Sequence, residues 1–123
     1  MANILIIDDD PNSLTINKDI LEHFHHQVQV VSTLGEANTS IIETKIDLVM
    51  LDVLLPDGNG LSLIPSLDHY TIPYFVTSAL SQKDLLRYIE QQSVIVKDYL
   101  LKPFTVTTLI QKVSEHIDSK VPI

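Results

Sequence analysis

The chain has 123 residues, 45% of them hydrophobic, which is enough for one core without disulfides or a structural metal. Sixteen acidic residues against eight Lys and Arg give a net charge of −8, which disfavours a nucleic-acid backbone or an anionic membrane as direct partner. The absence of cysteine excludes disulfide scaffolds and thiolate metal sites, and no apolar run approaches the roughly 18 residues of a membrane span.

The N-terminus, MANILIID, has neither the basic start nor the cleavage site of a signal peptide, so a cytoplasmic location is expected. Its apolar run ILII (4–7) predicts a first strand, which ends in Asp8, Asp9 and Asp10. Like charges this close raise one another's pKa, so the cluster implies a cation among them. Pro11 follows, with Leu14, Ile20, Leu21 and Phe24 at helical spacing behind it. Asp10 then serves the helix start rather than the cation, because carboxylates favour helix N-termini. His23, His25 and His26 fall where this helix should end; with no acid or further histidine at a ligand spacing, they are not read as a metal site.

VQVV (28–31) predicts the second strand, and Thr33 caps a helix through GEANTSII. DLVML (47–51) predicts the third strand, ending at Asp52, and LPDGNG after it reads as a turn in which Asp57 supplies turn chemistry. PYFVT (73–77) predicts the fourth, ending at Thr77 and Ser78, and Ser81 caps the helix QKDLLRYIEQQ. DYLL (98–101) predicts the fifth, ending at Lys102. Val106, Leu109, Ile110, Val113 and Ile117 then repeat at i, i+3, i+4, i+7 and i+11, predicting a last helix with one face on the sheet.

Strands alternating with helices predict an α/β fold with a parallel sheet covered on both faces, as one domain over residues 1–123. In such sheets ligands bind beyond the carboxyl ends of the strands. With Asp10 set aside for the helix start, those ends carry three carboxylates, two hydroxyls and a lysine. Mg2+ prefers one or two carboxylates together with waters and phosphate oxygens, and lysine supplies a point charge for a phosphoryl oxygen.

IIDDDP, LDVLLPDGNG, IPYFVTSA and DYLLKPF, in this order and spacing, resemble the receiver domain of bacterial two-component response regulators along the whole chain. The resemblance implies a flavodoxin-like, five-stranded parallel sheet in order 2-1-3-4-5 with five helices. It implies Asp52 as phosphoacceptor, Mg2+ held by Asp9, with Asp8 beside it, Asp52 and the Leu54 carbonyl, and Lys102 on the phosphoryl group. It also implies Ser78 as the switch hydroxyl, five residues after the proline of IP and just before alanine, and Tyr99 as the aromatic that moves on activation. A cis bond between Lys102 and Pro103 is also implied. The chain departs from the family before the fifth strand, where SVIVKDYL stands in place of the usual Gly-Ala.

The implied function is a switch. Asp52 takes a phosphoryl group from a phosphohistidine on a histidine kinase or phosphotransfer protein, and output passes to an effector domain or partner outside this chain. The resemblance leaves a phosphorylation-dependent dimer open. Catalysis is confined to the domain's own phosphorylation and dephosphorylation. Leu54 and Leu80, two residues after the phosphoacceptor and the switch hydroxyl, offer no hydrogen bond to a hydrolytic water, so a long-lived phosphoprotein is expected, suited to transcription. The rival reading is a haloacid-dehalogenase-type, Mg2+-dependent phosphatase with Asp8 as nucleophile. A flavodoxin-like cofactor binder would need a phosphate loop where the three aspartates stand. A degenerate docking receiver would not need the intact Asp8, Asp9, Asp52, Ser78 and Lys102 set.

Overall fold

Residues 2–118 are described by the computed structural model; of the single domain expected over 1–123, residues 1 and 119–123 lie outside the described residues. Five runs rich in β-branched, aliphatic and aromatic residues form the main sheet: β1 (Asn3–Ile7), β2 (Gln27–Val31), β3 (Leu48–Asp52), β6 (Tyr74–Ser78) and β7 (Tyr99–Leu101). They pair in parallel in the order β2-β1-β3-β6-β7, the 2-1-3-4-5 order that the family resemblance implies. A two-residue antiparallel pair, β4 (Leu54–Leu55) with β5 (Gly58–Asn59), sits between β3 and the next helical segment and was not anticipated.

Alternation along the buried strands divides the core between two faces. Leu5, Ile7, Val49, Leu51 and Val76 point to one side, where they meet Ala37 and Ile41 of α2 (Leu34–Glu43), Leu67 of α3 (Ile64–His69) and Leu85 of α4 (Gln82–Glu90). Ile4, Ile6, Leu48, Met50 and Phe75 point to the other, against Leu21 of α1 (Pro11–His23) and Leu109 and Val113 of α5 (Val106–Asp118). Burial on both faces is why the three inner strands read as unbroken apolar runs.

The helix starts follow the expected chemistry. The Asp10 side chain accepts from the Asn12 N–H, Thr33 from the Glu36 N–H, and Ser81 from the Asp84 N–H. HFHH closes α1: His25 takes φ 72°, and the N–H groups of His25 and His26 donate to the carbonyls of Glu22 and Leu21. The helix between β5 and β6 is a 3-10 turn (Gly60–Leu63) running into the short α3, with Pro65 in its first turn. Two residues of the apolar stripes stay outside the core. Val106, the first residue of α5, is 48% exposed, and Phe24, just past α1, is 45% exposed.

Candidate functional site

The strand order reverses between β1 and β3, and the ends of these two strands bring Asp8 and Asp52 together. Asp8 and Asp52 are buried and Asp9 is exposed; one carboxylate oxygen from each lies within 4.8 Å of the others. Among the described residues this is the one group of three or more metal-ligating side chains. Lys102, at the end of β7, places Nζ 2.6 Å from Asp8 Oδ2 and 3.8 Å from Asp52 Oδ2. The second Asp8 oxygen, Oδ1, accepts from the Asp10 N–H at 3.0 Å. Burial pushes the Asp52 carboxyl up to about 6; the Lys102 ammonium opposes that shift and the Asp8 charge adds to it.

A cleft of about 420 Å3 opens over these groups, lined among others by Asp8, Asp9, Asp52, Ser78, Leu80 and Lys102. Ser78 lines it and Thr77 does not. Ser78 Oγ accepts from the Leu80 N–H at 3.0 Å, and the Lys102 N–H donates to the Ser78 carbonyl at 2.8 Å, tying the fourth and fifth strand ends together. The Lys102–Pro103 bond is cis. Leu54 lines the cleft at 53% exposure, and Leu80 lines it half-buried. Asp10 reaches the cleft too, but its carboxylate is occupied by the Asn12 N–H and the Ser13 hydroxyl. Tyr99 stands outside the cleft lining, half-buried, its hydroxyl accepting from Gln82 Nε2 at 2.8 Å.

Two contributors escaped the sequence reading. Gly60 packs so closely under Asp52 that a β-carbon there would overlap the Asp52 carbonyl oxygen, so only glycine fits. The glycine-rich LPDGNG stretch was the available signal. Asp57 lies in the turn between β4 and β5, as read, and from there also reaches the start of α2, where its carboxylate accepts from the Leu34 N–H at 2.8 Å and the Gly35 N–H at 3.2 Å. The Leu34 hydrogen bond, more than that of Gly35, holds its carboxyl below the ordinary value. It fixes the turn after Asp52 to a neighbouring helix.

The donor set fits a hard divalent cation: three carboxylates and no nitrogen or sulfur ligand, on a cleft wide enough for a phosphoryl group. Residues 4–114 match the sequence profile of the family described as Response regulator receiver domain. The chain belongs to this family. MalR, a transcriptional regulatory protein of Bacillus subtilis, is 32% identical over 108 residues, 85% of this chain and 45% of that protein. A receiver domain of a signal transduction histidine kinase from Syntrophus aciditrophicus is 29% identical with a TM-score of 0.84, covering 100% of this chain and 95% of that one. The receiver domain of the sensor histidine kinase PA1611 from Pseudomonas aeruginosa, described with a magnesium ion coordinated in its active-site cleft, has a TM-score of 0.85 over 95% of this chain and 98% of that one. At 22% identity it speaks for the fold. This receiver domain spans about half, or less, of the length of the curated relatives it matches. None of its described helices is long and apolar enough to cross a membrane.

Proposed function

We propose that this receiver domain is switched by transfer of a phosphoryl group from a phosphohistidine to Asp52. One observation carries the reading: Asp52 is a buried carboxylate that shares Lys102 with Asp8 and faces the Ser78 side of the cleft. With its pKa near 6 the group is ionised at pH 7.5 and hence nucleophilic. An Asp52 oxygen bonds to phosphorus as the phosphorus–nitrogen bond breaks, and the departing imidazole keeps that electron pair. The product is an acyl phosphate.

Asp8, Asp9 and Asp52, with the Leu54 carbonyl, would hold Mg2+, which when bound neutralises charge on the phosphoryl oxygens. Lys102 has three N–H donors, of which one is hydrogen-bonded to Asp8 while Asp52 lies 3.8 Å away, so it can turn another toward a phosphoryl oxygen without leaving the cleft. The Ser78 hydroxyl accepts from Leu80, which leaves its own proton free for another phosphoryl oxygen. Movement of Ser78 toward that oxygen makes room for Tyr99 to turn, which shifts the balance of conformations on the α4–β7–α5 surface. The donor is a histidine kinase or phosphotransfer protein. The receiver of the signal lies outside this chain, and transcriptional output is favoured by relatives described as transcriptional regulators.

Treatment with acetyl phosphate and Mg2+ should raise the intact mass by one phosphoryl group in the wild type and leave Asp52→Asn unlabelled. Labelling kept in Asp52→Asn and lost in Asp8→Asn would transfer the nucleophile to Asp8 and overturn the proposal.

A further inference from the structure

Residues 91–98, between α4 and β7, lack the glycine that usually ends a helix; Asp98 holds the end of the segment to α5, and two further side-chain hydrogen bonds secure Gln92 and Ile95. The hydroxyl of buried Tyr74 donates to the Ile95 carbonyl at 3.0 Å. Asn59 Nδ2 donates to Gln92 Oε1 at 2.8 Å, a link between residues 33 apart in sequence. Asn59 is fixed at its other end as well, because its Oδ1 accepts from the Leu61 N–H at 2.9 Å. The next residue is Gly60, which packs on the Asp52 carbonyl and donates its N–H to the Val53 carbonyl at 2.6 Å. Between Gln92 and the Asp52 backbone there is one side-chain hydrogen bond, one peptide unit and one close backbone contact. Tightly packed contacts of this kind transmit displacement rather than absorb it.

We propose that Gln92 is a positioning residue for Asp52, acting through Asn59 and Gly60, and that the same contacts make residues 91–98 respond to phosphorylation. The inference rests on Asp52 being the phosphoacceptor. Coupling between two sites is reciprocal, so a segment that biases the Asp52 geometry is itself biased when Asp52 is modified. This route runs through neither Ser78 nor Tyr99. Ile95, at 81% the most exposed of the large hydrophobic residues described, lies in the middle of the responding segment.

The test compares the wild-type 123-residue chain with Gln92→Leu, which removes the acceptor, and Gln92→Glu, which keeps an oxygen there. Two readouts are taken: the rate of labelling by acetyl phosphate with Mg2+, and amide exchange with and without beryllofluoride and Mg2+, which mimic the acyl phosphate. Gln92→Leu should label about three- to tenfold more slowly, the range within which one hydrogen bond moves a rate. Gln92→Glu should stay within about twofold of wild type on the same scale. Beryllofluoride should change exchange across 92–96 in wild type and in Gln92→Glu, and should leave that segment unchanged in Gln92→Leu. Wild-type kinetics and an intact exchange response in Gln92→Leu would overturn the inference, as would the absence of any response in wild type. Loss of protection spread evenly over the sheet in Gln92→Leu would make Gln92 merely structural and also overturn it. Failure of wild type to label at Asp52 would be a separate result, removing the phosphoacceptor assignment itself.

Discussion

Two clusters of charge sit at opposite ends of the sheet and are built on opposite ratios. Beyond the carboxyl ends of the strands, Asp8 and Asp52 share Lys102 with Asp9 beside them, and the Asp52 carboxyl is pushed up to about 6. Ahead of β7, Asp98 alone faces two partners, Lys112 Nζ at 2.9 Å and His116 Nε2 at 2.8 Å, both on α5. Partial burial pushes the Asp98 carboxyl up, but hydrogen bonds from Lys112 and His116 outweigh it and hold the group below its ordinary value. A carboxylate that is stabilised by its surroundings fastens one element to another. One that is destabilised is held in readiness for a cation or a phosphoryl group. Under the proposed function, the contrast separates structural from functional charge within one small domain.

The strongest way to break this contrast is Asp52→Asn. Labelling should be lost altogether while the metal-free protein gains on the order of 1–2 kcal/mol at pH 7.5, after allowing for solvent screening. Because the folded-state pKa is the higher one, native protein retains the proton between 3.8 and about 6, and wild-type stability falls as pH rises through that window. The advantage of the variant should therefore be full above about pH 6 and fade toward pH 4, as thermal melts across pH would show. A destabilised variant at pH 7.5 would place Asp52 with Asp98 among the fastening residues.

Metal comes next. Mg2+ at a hundred times its Kd should stabilise the fold by about 2.7 kcal/mol, and Asp9→Asn should lose most of that while its metal-free stability is unchanged or raised. A sharp fall in the metal-free melting temperature of Asp9→Asn would mark that residue as structural. The leucines at the cleft predict a smaller effect, of about 1.4 kcal/mol or more on a barrier. After the donor is removed, Leu80→Glu should lose its phosphoryl group at least about tenfold faster than wild type, because a polar side chain there can orient the attacking water. Equal decay rates would remove the leucines from the account of lifetime.

Asp98→Asn should give the smallest change and the opposite sign to Asp52→Asn. Roughly 1 kcal/mol of stability should be lost at pH 7, as expected for a partly exposed pair. A lowered pKa contributes stability that is present above the unfolded value of 3.8 and is lost as pH falls through the folded value, so variant and wild type should converge in acid. Urea melts at pH 7 and below pH 4 would show this, and no difference at pH 7 would mean that the cluster fastens nothing.

The main strands were legible because residues buried on both faces leave continuous apolar runs in the sequence. Asp8, Asp9, Asp52, Ser78 and Lys102 were legible because each sits at a strand end, where an α/β sheet gathers its polar groups. Asp57 shows the limit: its turn position was visible, but its partners Leu34 and Gly35 lie 23 and 22 residues away, and no local spacing encodes such a pairing. Gly60 and Gln92 were missed for the same reason, since their partners are set by packing. Val106 misled in the other direction, fitting the periodicity of α5 while remaining exposed in its first turn.

The short stretch from Leu54 to Gly60 is fastened at three places: to α2 by Asp57, beneath Asp52 by Gly60, and to the chain after α4 by Asn59. Connections between strands and helices are ordinarily where a protein accepts added or deleted residues. Here one extra residue would pull at least one of the three anchors out of register. Length variation, a domain insertion or an engineered tag should therefore be tolerated elsewhere on the surface but not in this connection, whose residue count is as constrained as that of a core strand.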